Sequence, residues 1–115
     1  MMDAMDRPAS HQFYRHPQLP WAELRVSQHS PHPYRLHMHA EYSLGLVDQG
    51  HATFTHPAGP QHLHAGSVVL IEQHVWHACN PAAVTAWSYR MLYLHADWLH
   101  DVLGAYKACV LHSAP

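Results

Sequence analysis

The sequence predicts an all-β domain, a small sandwich or barrel followed by one short C-terminal helix. Three observations carry this reading. Short apolar or alternating segments recur about every 8–12 residues from Trp21 onward, the spacing of strands in a sandwich or barrel. Gly- or Pro-containing turns separate them, as at Asp48-Gln49-Gly50 and Pro57-Ala58-Gly59-Pro60. Convincing helical periodicity is confined to Ala96 to Leu103, where Trp98, Leu99, Val102 and Leu103 share a face. With 115 residues, 48% of them apolar, the chain can build one core and is too short for several domains.

Residues 1–20 carry Pro8, Pro17 and Pro20 without periodicity, so they read as an irregular N-terminal arm. Residues 21–104 then hold the barrel and its helix. Trp21 to Ser27 alternates Leu24 and Val26 with polar residues, a strand pattern broken by Pro31 and Pro33. A second strand runs from His37 to Val47. Ala52 and Phe54 with flanking threonines make a third, and Gln61 to His64 a fourth. Ser67-Val68-Val69-Leu70-Ile71 is a continuous apolar run, expected to be buried on both faces or nearly so. Val75 to Cys79 is another short strand, broken by Asn80-Pro81, and Trp87 to Leu94 closes the series. The helix has Asp97 in its first turn and Gly104 as its stop.

Six Lys and Arg against eight Asp and Glu leave a net charge of −2. The basic residues Arg7, Arg15, Arg25, Arg35, Arg90 and Lys107 are scattered, which argues against the clustered basic surface of a nucleic-acid binder. No apolar run approaches the ~20 residues of a membrane-spanning helix, and the acidic start Met1 to Asp6 lacks a secretory apolar core. A soluble cytoplasmic domain with no membrane partner is expected. Cys79 and Cys109 lack C-x-x-C spacing, which fits reduced thiols. Fifteen histidines are the compositional oddity. They are dispersed, unlike a tag or a metal-binding tract, so only local spacing picks out those that matter.

The informative spacing is His37-Met38-His39-Ala40-Glu41. On a strand, residues two apart face the same side, so His37, His39 and Glu41 would line one face. Two imidazoles and a carboxylate are the ligand set of a facial triad or a zinc site, with His77 the leading fourth ligand. One divalent transition metal (Zn, Fe, Ni or Mn) is the implied cofactor. The competing reading makes the same residues the polar wall of a small-molecule pocket. Trp76, Trp87 and Tyr89, with Trp21, would stack on a ligand or belong to the core. His62 and His64 repeat the spacing without a carboxylate and read as a solvated strand face. Cys79 beside His77 has no oxyanion device, and neither a phosphate-binding Gly loop nor a G-x-S-x-G elbow occurs, so those enzyme classes drop out.

The order of motifs resembles the two-motif signature of the cupin superfamily. Arg35-Leu36-His37-Met38-His39-Ala40-Glu41 is followed by Gly45-Leu46-Val47-Asp48-Gln49-Gly50, Gly66 with Val68 to Ile71, and His77-Ala78-Cys79-Asn80-Pro81. More narrowly, with Trp87 to Leu94 and the helix after it, residues 21–104 resemble the N-terminal effector-binding domain of AraC-family transcriptional regulators. The resemblance implies a small jelly-roll barrel that binds a small-molecule effector inside and dimerises through a following helix. It also implies a separate C-terminal DNA-binding domain with two helix-turn-helix units. Nothing in this chain reads as one, so residues 105–115 are expected to begin the linker to it. Two departures bear on metal chemistry. Metal-binding cupin enzymes place a Glu four or five residues after the second His, where this chain has Ser43 and Leu44. A Pro-x-Gly turn is also expected where Glu72-Gln73-His74 stands, putting a histidine where the backbone would need positive φ. The sequence therefore points to a non-enzymatic effector-sensing domain. The alternatives are a metal-dependent cupin enzyme of dioxygenase or isomerase type and a metal-buffering protein using its histidines in bulk.

Overall fold

The computed structural model describes residues 8–81 and 86–113. In chain order the elements are β1 (Ser10–Tyr14), β2 (Ala22–Ser30), β3 (Tyr42–Gln49), β4 (His51–Thr55), β5 (Gln61–His64), β6 (Val68–Ile71), β7 (Ala78–Pro81), β8 (Trp87–Leu94) and α1 (Ala96–Ser113). One antiparallel sheet runs β1-β2-β8-β3-β6 and the other β5-β4-β7. Their inner faces share one core: Val47, Val69, Ile71, Trp87, Tyr89 and Met91 from the larger sheet meet Ala52, Phe54, Leu63 and Cys79 from the smaller. The expected all-β architecture with a C-terminal helix is the one observed.

Close approach decides two glycines. Gly45 lies in the inner row of β3 opposite Met91 and Val69, and a Cβ there would come within 3.0 Å of both side chains. Gly50 turns β3 into β4 with φ of 85°, and a Cβ would lie 2.7 Å from the Ala86 carbonyl oxygen.

Several expectations need correction. Residues 1–20 are not uniformly irregular: Ser10 to Tyr14 pair with Gln28 to Leu24 as an edge strand. Its side chains are mostly exposed, so burial left no apolar alternation to read. The run Val68 to Ile71 is buried on one face only. Val69 and Ile71 point into the core, while Val68 and Leu70 are 63% and 59% exposed. The strand expected at Val75 to Cys79 begins instead at Ala78 and includes Asn80 and Pro81. A proline is tolerated there because β7 is the edge of its sheet. The second strand likewise starts at Tyr42, not His37, so His37 to Glu41 form no strand face. Finally, Gly104 does not stop the helix, which continues to Ser113. Its exposed face needs no side chain there, and a helical glycine costs only about 1 kcal/mol relative to alanine.

Candidate functional site

Three histidines converge although they share no strand. His37 and His77 form an isolated antiparallel bridge, with the His37 N–H donating to the His77 carbonyl at 2.9 Å and the reverse bond at 2.8 Å. A directly opposed pair projects both side chains to the same side, and their ring centroids lie 4.4 Å apart. His39 joins them because its carbonyl accepts from the His74 N–H at 2.7 Å. His74 has φ of 57°, so the turn that reaches His39 uses a left-handed residue where the sequence offered no glycine. The His39 ring sits 4.7 Å from His37 and 5.0 Å from His77. Asn80 Oδ1 adds a further tether, accepting from the Tyr34 N–H.

Two of the three tautomers are fixed. His37 Nδ1 lies 2.6 Å from the Arg35 carbonyl and His77 Nδ1 lies 2.8 Å from the Val75 carbonyl. A carbonyl only accepts, so each Nδ1 carries a proton, which leaves Nε2 as the ligating nitrogen of the neutral ring. Such backbone partners are the usual outer support of metal-binding imidazoles. The ligand atoms of all three histidines lie within 4.8 Å of one another, so the cluster could hold a metal ion. Burial lowers the His39 pKa, with His37 and His77 adding to the effect and Glu41 opposing it. Burial also lowers that of His77, against the Val75 carbonyl and with help from His37 and His56. Both effects favour neutral, ligating imidazole.

The histidines form one wall of an interior cavity of about 70 Å³, with Arg25, Tyr34, Tyr89, Tyr93 and Trp87 among its other walls. A wider cleft of about 830 Å³ opens beside it, shares His39 and Tyr93, and is bordered by the segment from Phe13 to Glu23. Of the residues singled out in the sequence, His37, His39, His77, Trp87 and Tyr89 meet at the cavity. Glu41 does not: it is exposed and borders the wider cleft, outside the three-histidine group. Trp76 is 53% exposed and does not line the cavity.

Sequence reasoning missed Arg25, Tyr34 and Tyr93. Leu24 and Val26 alternate with Glu23, Arg25 and Ser27, as expected of a strand, but here the polar set faces inward. Arg25 pairs in register with buried Met91, and Ser27 with buried Tyr89. Alternation establishes two faces without saying which is inside, so no sequence signal marked the polar set as inward. Tyr34 lies outside the strands, and its hydroxyl is 3.0 Å from that of Tyr89. Burial raises the pKa of both Tyr89 and Tyr93, so these hydroxyls stay protonated donors.

Solved structures share this fold. The chain is similar to a cupin superfamily protein from Desulfitobacterium hafniense, with TM-score 0.65 at 14% identity over 76% of this chain and 77% of that one. A Cupin 2 conserved barrel domain protein from Salinispora arenicola gives 0.63 at 19% identity, over 77% and 76%. The structure of FeII HppE gives 0.63 at 17% identity, covering 75% of this chain and half of that one. The architecture is thus a small cupin barrel. No curated protein matches the chain significantly. Residues 20–111, however, match the AraC-like ligand binding domain, which spans both histidine segments, the cavity and most of α1, and the chain belongs to that family.

Proposed function

We propose that the domain senses a small-molecule effector held in the interior cavity, as the regulatory part of an AraC-type transcriptional regulator and not as an enzyme. The observation that carries this reading is the cavity itself. Basic, imidazole and hydroxyl groups converge there from β2, β8 and the two histidine segments, within a ligand-binding family. DNA would be engaged through a helix-turn-helix domain outside the described residues, in the cytoplasm. No helix among the described residues is long and apolar enough to cross a membrane. Dimerisation would use α1, where Val102 and Leu103 are 42% and 41% exposed. A metabolite screen by thermal shift should find ligands that raise the melting midpoint. Fusing the chain to a heterologous DNA-binding domain should then make a reporter respond to the same ligands. Ligand binding without a reporter response would refute the sensing role.

A second reading, a metal-dependent cupin enzyme, is favoured by the three-histidine cluster alone. His37, His39 and His77 would hold the ion, which would supply Lewis acidity to a bound oxygen ligand. Glu41 enters only as a contact to whatever reaches the outer cleft, and Trp76 lines neither the cavity nor that cleft. Elemental analysis of protein purified without affinity metals separates the readings. A sensor with a structural ion gives about one metal per chain, lost in His77→Ala, and leaves its ligand chemically unchanged by mass spectrometry. Turnover of the ligand would establish the enzyme.

A further inference from the structure

We propose that the cavity recognises a small carboxylate, with Arg25 as the residue that binds it. The inference rests on the effector-sensing reading and names the chemical class of the effector. Arg25 is a half-buried cation on the inner face of β2, and it lines the cavity. Its hydrogen bonds run to neutral groups. Nε donates to Ser27 Oγ at 3.0 Å, and Nη2 donates to the Tyr34 hydroxyl at 2.9 Å and to His11 Nδ1 at 3.3 Å. Aromatic faces supply the rest of its surroundings, with its central carbon 5.5 Å from the Phe13 ring centroid and 5.8 Å from those of Tyr34 and Tyr89. Two ion pairs occur among the described residues, Arg15 with Glu23 and Arg90 with Asp48. Glu23, the acidic residue nearest along the inner face of β2, is therefore engaged elsewhere.

A cation withdrawn from water without a counter-charge is costly, and an anionic ligand removes that cost. Nε and both Nη2 protons are already engaged, so a ligand would meet Nη1, and one guanidinium balances the single charge of a carboxylate better than the nearly double charge of a phosphate. Tyr89 and Tyr93, whose hydroxyls burial keeps protonated, also line the cavity, and the Tyr89 hydroxyl lies 3.0 Å from that of Tyr34. The cavity itself seats a short acid, and anything longer would extend into the wider cleft that shares His39 and Tyr93. A cavity of about 70 Å³ accommodates a handful of heavy atoms, given that one water needs some 10–15 Å³ on the same measure. Acetate, pyruvate and lactate are of that size.

The test is isothermal titration of the chelator-treated chain with acetate, pyruvate and lactate, against acetamide, lactamide, glycerol and inorganic phosphate at equal ionic strength. We expect the carboxylates to bind and their amides to bind at least about ten-fold more weakly. Arg25→Gln should abolish the preference, and Arg25→Lys, which keeps the charge but loses the guanidinium's hydrogen bonds to Ser27 and Tyr34, should retain part of it. Because Arg25→Gln could perturb β2, the wild-type comparison of acid with amide decides the matter without it. Equal binding of lactate and lactamide overturns the inference, as does phosphate binding tighter than every carboxylate. Glycerol binding while the acids do not overturns it too, yet leaves the sensing reading standing. Silence from every probe also overturns it, and the reporter experiment then decides the sensing reading by itself.

Discussion

Cys79 illustrates how one side chain's environment sets its chemistry. It lines the cavity beside His77, the pairing that suggested a nucleophile, but burial pushes its thiol up to about 12. At neutral pH almost none of it is thiolate, so it acts as a small apolar wall. Iodoacetamide at pH ~7.5 should therefore alkylate the Cys79 peptide of the folded chain at least about a hundred-fold more slowly than in denaturant, as read by peptide mass spectrometry. Equal rates would show an accessible, reactive thiol. His74 is the opposite case, a solvent-exposed residue constrained by its backbone. Its φ of 57° is where a side chain carries a penalty of about 1–2 kcal/mol that glycine escapes. His74→Gly keeps the N–H that binds the His39 carbonyl, and the greater freedom it gives the unfolded chain offsets part of the gain. The expected net stabilisation is up to about 1 kcal/mol, or several degrees in melting midpoint. A lower midpoint would show that the imidazole itself supports the turn.

At the level of elements, α1 makes few contacts among its described side chains, and it should respond to its own propensity. Trp98 stacks on Trp21 with ring centroids 3.7 Å apart and nearly parallel planes, and the Tyr42 hydroxyl meets His100 Nε2 at 2.9 Å. Beyond these the helix passes through Gly104, where an added Cβ meets nothing within 4 Å. Gly104→Ala should raise helical ellipticity and stabilise α1 by up to about 1 kcal/mol without affecting the sheets. A fall in ellipticity would mean the glycine is required for a close contact. The same balance of local and tertiary effects explains what could be read from the sequence. Strand β4 was legible because its alternation agrees with its burial, β5 because turns bound it, and β8 because aromatic and apolar residues favour a strand. Strand β1 was not, because an exposed edge imposes no apolar pattern. Strand β7 was misplaced because Pro81 signals a break everywhere except at an edge. At the site, His37, His39 and His77 were identified from their motif positions, but strand parity was the wrong reason. A bridge between two irregular segments brings them together, which i, i+2 spacing cannot express. Arg25 was invisible because alternation does not distinguish inside from outside.

Across the whole molecule, the larger sheet has an apolar outer row, Tyr14, Leu24, Leu92, Leu44 and Leu70 in register over all five strands. Several inner positions are polar instead. Polar groups also face the cavity, half-buried His39 and buried His77 among them, which ties stability to pH. Burial lowers the pKa of His11, His39 and His77 in the fold, aided for His11 by Arg25 and His32. In the unfolded chain these groups titrate near their ordinary value of 6.5. Above that value they are neutral in both states and contribute no pH dependence. As pH falls through it, the unfolded chain binds protons that the folded chain resists, so the fold loses stability until the lowered folded values are passed. General charging acts in the same direction, since protonating all fifteen histidines takes the formal charge from −2 to +13. In chelator-treated protein the melting midpoint should be nearly constant from pH ~8 to ~7 and fall steadily from ~6.5 to ~5. His39→Gln should flatten that fall, because it removes one of the three groups whose protonation the fold resists. A midpoint independent of pH over the lower range would mean that the interior admits these protons freely, and hence that the cavity wall is solvated and not closed.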